Sequence, residues 1–202
     1  RRHSFPTRRS SDLPVLQEPW EFDFLVREVR RLSPRLMIEI GSYYGGTLWT
    51  WLGIAGAHPA GGKVASIDLP PQPSDPWYDP ILHGEYLRRC RARWQEPDFR
   101  QGAELLTWES SSRAAGLPES VREALGGPAD FLFIDGDHGT EAAVADFNLY
   151  APLIRPGGLI ALHDTIGLPQ VRAAWERVSA GRRIAEIGGR APGQWGIGII
   201  YV

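Results

Sequence analysis

Between residues 130 and 164 the chain reads DFLFIDGDHGTEAAVADFNLYAPLIRPGGLIALHD. Two apolar, strand-like runs each end in a cluster of potential metal ligands. Asp135, Asp137 and His138 follow the first run, and His163 and Asp164 follow the second. About one helix separates them. This layout predicts that both clusters lie side by side at the carboxyl edge of a parallel sheet, where open α/β folds bind ligands. The residue types point to an enzyme site with a divalent metal.

The flanking pattern extends the same alternation. Phe22, Leu25, Val26 and Val29 fall at helical spacing and predict an amphipathic helix over about 19–32. Strands are predicted at 36–40, 63–67, 103–108, 130–134 and 159–162, and helices at about 47–57, 80–95, 118–125, 140–154 and 169–180. Pro156-Gly157-Gly158 reads as a turn. The last two strands, near 182–187 and 195–202, are close enough in sequence to form an antiparallel pair. Strands alternating with helices predict an α/β, doubly wound, mostly parallel sheet with an antiparallel edge. Residues 69–79, LPPQPSDPWYD, read as a surface loop in which Trp77 and Tyr78 could cover a substrate. Trp49, Trp51 and Trp175 read as core, Cys90 as structural, and Arg88, Arg89, Arg91 and Arg93 as a solvated helix face on which an anionic substrate group could dock.

A second candidate site lies earlier. MIEIGSYYGGT (37–47) joins the first strand to the first core helix, and its glycines allow close backbone approach to a ligand at that helix amino terminus. The dinucleotide pattern G-x-G-x-x-G would need glycine where Tyr43 stands, so the pyrophosphate fingerprint is incomplete. Asp68 ends the second strand, where an acid can accept both hydroxyls of a ribose. Together these features suit a nucleoside ligand without a pyrophosphate.

Bulk properties exclude other classes. The chain has 202 residues, one cysteine and no apolar run approaching the roughly 20 residues of a membrane span. A lone cysteine cannot form an internal disulfide, so a reducing cytoplasm is the default. Residues 3–13, HSFPTRRSSDL, resemble a translated sequencing adapter, so residues 1–13 are set aside and 14–202 are read as one domain. Setting them aside removes four arginines and one aspartate and takes the formal charge from −2 to −5. That acidic body gives no electrostatic case for nucleic acid or an anionic membrane. No G-x-S-x-G elbow supports a hydrolase. A homo-oligomer stays open.

EIGSYYGGT, the acid in SIDLP, FIDGDH and LIRPGGLIALHD together resemble class I S-adenosylmethionine-dependent methyltransferases over about 35–202. The branch is that of small-molecule O-methyltransferases of the catechol and macrolide-sugar type, with the enzymes once labelled cephalosporin hydroxylases. The resemblance implies a Rossmann-like sheet of order 3-2-1-4-5-7-6 and S-adenosylmethionine as cofactor. It implies that Glu39 and Gly41 shape the methionine pocket, that Tyr43 and Gly45 line it, that Asp68 binds the ribose and that Glu109 and Ser110 lie near the adenine. Relatives often carry glycine where Trp108 stands. Asp135 matches a residue beside the cofactor and the first metal ligand, His163 and Asp164 match the remaining ligands, and His138 matches the catalytic base. Histidine at 163 departs from the usual oxygen donors. Magnesium or manganese is implied, and imidazole shifts preference toward manganese, iron or zinc. The implied activity is O-methylation of a small-molecule hydroxyl. Its rivals are a metal-independent enzyme using His138 as base and a non-catalytic S-adenosylmethionine-binding module.

Overall fold

The segment Leu36–Ile40, five consecutive buried residues, is β1 and forms the middle of the molecule. In the computed structural model, which describes residues 13, 15–70, 80–189 and 195–202 (the side chains of 80–83 apart), it pairs in parallel with two neighbours. These are β2 (Lys63–Asp68) and β4 (Ala129–Ile134). Beyond them lie β3 (Glu104–Glu109) on one side and β5 (Ile154–His163) on the other. The antiparallel strands β7 (Ile197–Tyr201) and β6 (Arg183–Ile187) complete a seven-stranded sheet of order β3-β2-β1-β4-β5-β7-β6. The Rossmann-like order expected from the resemblance is borne out.

Helices cover both faces because successive strand residues point to opposite sides. Ile38, Leu132, Ile160 and Leu162 pack with Val121 of α5 (Leu117–Leu125), Phe147 of α6 (Thr140–Tyr150) and Trp175 of α7 (Pro169–Ser179). On the other face, Met37, Phe131, Phe133 and Ile199 pack with Leu25 and Val29 of α1 (Pro19–Arg31) and Trp51 of α2 (Gly46–Gly56). Trp51 and Trp175 are fully buried, as read from their spacing, while Trp49 is only half-buried.

Several boundaries differ from the sequence reading. The helix expected over 80–95 is α3 (Pro80–Ala92) followed by a 3-10 turn at 93–95, and a further short helix, α4 (Pro97–Arg100), follows. The helix expected to reach 154 ends at Tyr150 and tightens into a 3-10 turn, because Pro152 has no N–H and restricts the residue before it. The expected turn at 156–158 instead lies inside β5, where the register with β4 shifts between Ala129 and Phe131. Gly157 takes φ +78°, and Gly158 passes so close to Ile154 and the Asp130 carbonyl that a side chain would collide. This is a bulge, for which glycine is suited. Residues 1–12, and with them nearly all of the expected leader, lie outside the described residues, as do Trp77 and Tyr78. Among the described residues no helix is long and apolar enough to cross a membrane.

Candidate active site at the carboxyl edge of the sheet

The chain reverses its lateral direction between β1 and β4, and the crevice at such a switch point is the ligand site of open α/β sheets. Two hydrogen bonds extend the pairing there. The Gly41 amide donates to Ile67 O at 2.9 Å, and the Asp135 amide donates to Ile40 O at 2.9 Å. The glycine turn and the first acidic cluster are therefore adjacent. Gly41 has φ +89°, and a Cβ on it would overlap the Asp135 carbonyl oxygen. Only glycine meets both conditions.

Glu39 projects from β1 toward α2 and is fully buried. It accepts hydrogen bonds from Ser42 Oγ at 2.5 Å and Trp51 Nε1 at 2.9 Å, and Ser42 Oγ lies 2.7 Å from Ser66 Oγ. Burial pushes its pKa up to about 7 against these bonds. Tyr43 adopts a left-handed φ of +49°. Its amide donates to Asp68 Oδ2 at 2.5 Å, which ties the turn to the end of β2. Gly45, at φ +90°, sits against the Trp94 indole, where a Cβ would overlap the ring.

A cleft of about 340 Å³ opens beside Asp68, with Arg91, Trp94, Thr107, Trp108 and Glu109 among its lining residues. Glu109 is largely exposed there. The Ser110 amide donates to Asp68 O at 2.9 Å, prolonging the β2–β3 pairing beyond the strands. Arg91 corrects the sequence reading. Arg88 and Arg89 are exposed as expected, but Arg91 is buried. It contacts Asp68 Oδ2 at 2.7 Å through Nη2. Helical periodicity explains the exception, because Leu87, Cys90, Arg91 and Trp94 form one buried stripe at i, i+3, i+4 and i+7. Burial raises the Asp68 pKa, and Arg91 and the Tyr43 amide pull against it.

The second cluster is a chain of alternating acids and imidazoles. His163 Nδ1 lies 3.2 Å from Asp135 Oδ1 and 3.1 Å from Asp164 Oδ1, while His138 Nε2 lies 3.0 Å from Asp164 Oδ2. One ligand atom each from Asp135, His138 and Asp164 can be chosen so that all lie within 4.8 Å of one another. The four groups thus come together, and the backbone of one of them, Asp135, packs on Gly41. Burial disfavours charge on His163, but Asp135 and Asp164 outweigh it and raise its pKa to about 10. Burial likewise acts against the Asp164 carboxylate, yet the bonds to His138 and His163 hold its pKa down to about 2. The hydrogen bond to Asp164 raises His138, whose side chain is about half exposed. Asp137 turns away from the group. It accepts from the Gly139 amide at 2.9 Å and from Arg113 at 3.2 Å, at the start of α6.

Two residues of the amino-terminal region also reach this cluster. Gln17 Nε2 donates to Asp135 Oδ2 at 2.6 Å. Glu21, fully buried in α1, accepts from the Gly196 amide at 3.1 Å and attracts His163 electrostatically. Glu21 Oε1 and His163 Nε2 are buried without a hydrogen-bond partner among the described residues. The signal for Glu21 was available, since Glu21, Leu25 and Val29 share one helical face at spacings of four. An acid on an apolar stripe marks a buried polar function. Gln17 carries no comparable periodic signal.

Comparison with known proteins agrees with this architecture. A family model described as "Methyltransferase domain" matches residues 38–165, well over half the chain. The O-methyltransferase from Bacillus cereus in complex with SAH has a similar structure, at 20% identity, TM-score 0.62 and coverage of 96% of this chain and 86% of that one. TomG from Streptomyces achromogenes, an O-methyltransferase of tomaymycin synthesis in complex with SAM, has TM-score 0.65 at 18% identity over 95% and 82%. CalS11, a TDP-rhamnose 3'-O-methyltransferase of calicheamicin biosynthesis, has TM-score 0.60 at 16% identity over 92% and 81%. At such identities the structural likeness speaks for the fold. The family match over 38–165 establishes that the chain belongs to the methyltransferase-domain family.

Proposed function

We propose that the chain methylates a hydroxyl oxygen of a small molecule, with His138 as the proton acceptor. The observation that carries this reading is the convergence of the His138, His163, Asp135 and Asp164 side chains, with the Asp135 backbone packed on Gly41. Glu39, Gly41, Tyr43 and Gly45 receive the methionine end of S-adenosylmethionine, Asp68 the ribose, and the cleft by Glu109 and Ser110 the adenine, with Asp135 between cofactor and acceptor. In the transfer, the acceptor oxygen forms a bond to the methyl carbon as the carbon–sulfur bond breaks. The hydroxyl proton passes to His138, and the products are a methyl ether and S-adenosylhomocysteine. The Asp164 contact to Nε2 orients the imidazole and favours its protonated form. Such general-base help typically contributes about 10²–10⁴ in rate. A sugar or other secondary-metabolite acceptor accords with the structural similarity to TomG and CalS11.

Two carboxylates and an imidazole are a fitting donor set for a divalent cation, and Nδ1 of His163 lies near one oxygen of each acid. Asp135, His163 and Asp164 would hold it, manganese or iron suiting the mixed donors better than magnesium. A bound cation would lower the pKa of the acceptor hydroxyl and orient it. A second reading has its own support. A protonated His163, favoured by both carboxylates, would supply positive charge at the same place without any metal.

One experiment separates these readings. The protein is dialysed against a chelator, and transfer of labelled methyl from S-adenosylmethionine to a library of hydroxyl compounds is measured. A loss of at least about 100-fold that manganese restores supports the cation. Undiminished turnover supports the imidazolium. Cofactor binding without transfer to any acceptor would overturn the catalytic role in favour of a binding module.

A further inference from the structure

Helix α3 carries a buried guanidinium that the transfer chemistry leaves unused. Arg91 Nη2 contacts Asp68 Oδ2 at 2.7 Å, Nη1 donates to Leu69 O at 2.8 Å, and Nε donates to Tyr43 O at 3.4 Å. Nη1 also lies 3.6 Å from Glu109 Oε1, and the guanidinium sits 5.5 Å from the centre of the Trp94 ring. One side chain thus joins the glycine turn to the ends of β2 and β3, and those two strand ends line the cleft. Its side chain is 8% exposed. A buried cation is costly unless it is paired and hydrogen-bonded, and the two carboxylates it meets, Asp68 and Glu109, both line this cleft. The neighbouring Trp94 packs against Gly45 from the same segment.

The contact on Asp68 is selective. Arg91 and the Tyr43 amide both bind Oδ2, so neither of these contacts uses Oδ1, and the Leu69 amide adds a further bond to the carboxylate. An acid that must accept ribose hydroxyls needs a fixed orientation, because a free carboxylate loses rotamer freedom when the ligand binds. We infer that Arg91 is the positioning residue of the nucleoside site, clamping Asp68 by one oxygen so that the other is presented to the cofactor ribose. This rests on the proposed assignment of Asp68 to the ribose. It gives α3 a role in cofactor affinity, through a residue read from sequence as part of a solvated helix face.

The test is calorimetric titration of the full-length chain with S-adenosylhomocysteine, alongside steady-state kinetics in S-adenosylmethionine. Wild-type protein that does not bind S-adenosylhomocysteine overturns the nucleoside-site assignment itself. With wild-type binding established, R91A is expected to weaken it at least tenfold. The KM for S-adenosylmethionine rises in parallel, and kcat falls less than threefold. R91K, which keeps the charge but cannot reach all the acceptors, falls between R91A and wild type. In a D68A background R91A adds less than twofold, because the clamp then has nothing to hold. R91A binding within twofold of wild type overturns the inference. A penalty that persists undiminished in the D68A background also overturns it, since that marks a merely structural role. Should R91A fail to fold, R91Q and R91K in both backgrounds supply the same comparison.

Discussion

His138 and His163 are chemically identical side chains given different properties by their surroundings. His138 is half exposed and meets one carboxylate, whereas His163 is buried against two. Only the first has the access that proton exchange with an incoming hydroxyl requires. His138→Ala is therefore expected to lower kcat by about 10²–10⁴, with S-adenosylhomocysteine affinity changed less than twofold by calorimetry. A wild-type rate in that variant removes His138 from the mechanism. The residue scale also shows where sequence reasoning reached its limit. Asp135, His138, His163 and Asp164 were legible because all lie within four residues of the end of an apolar run. Arg91 and Glu21 were hidden because each sits in an amphipathic helix among other charges. Periodicity placed them on the buried stripe, but composition suggested solvent.

At the level of elements, the glycine turn is defined by what lies across from it. Gly41 faces the Asp135 carbonyl in a left-handed conformation, and Gly61 has a similar φ of +70° but meets nothing within 4 Å. An alanine at either position carries a backbone strain of about 1–3 kcal/mol. Gly41→Ala must also push β4 away from the end of β1. It is expected to be the more destabilising of the two by at least about 1 kcal/mol in denaturant unfolding, and to abolish cofactor binding. Equal losses in the two variants would show that the close approach is unimportant. The short helix α4 and the bulge in β5 were not legible locally. Pro156-Gly157-Gly158 has turn composition, and only the pairing of Gly157 and Gly158 with Val202 draws it into the sheet.

For the whole molecule, the cluster couples folding to pH. The His163 pKa is raised from 6.5 to about 10 in the folded protein. Its contribution to stability is thus fully present below pH 6.5 and is lost as pH rises toward 10, because above 6.5 the unfolded chain holds fewer protons. Glu39, raised to about 7, has completed its titration by pH 8. Chelator-treated protein should therefore lose stability between pH 8 and 10 with a slope of up to about 1.4 kcal/mol per unit. His163→Gln should flatten that slope, as read by denaturant midpoints. A slope that survives the substitution would show that His163 is not the group responsible.

The alternation of apolar runs and helical stripes, read without coordinates, determined that this chain forms a doubly wound sheet. The residues following β1, β2, β4 and β5 located the site, since strand ends and turns are local features of the chain. Tertiary structure alone decided which partners those residues take. Gln17 reaches Asp135 across 118 positions and Glu21 reaches Gly196 across 175. Arg91 meets Asp68 only because α3 packs against the turn. Such pairings arise from the docking of separate elements, where burial forces each charge to find a partner, and no pattern along the chain records which partner that is.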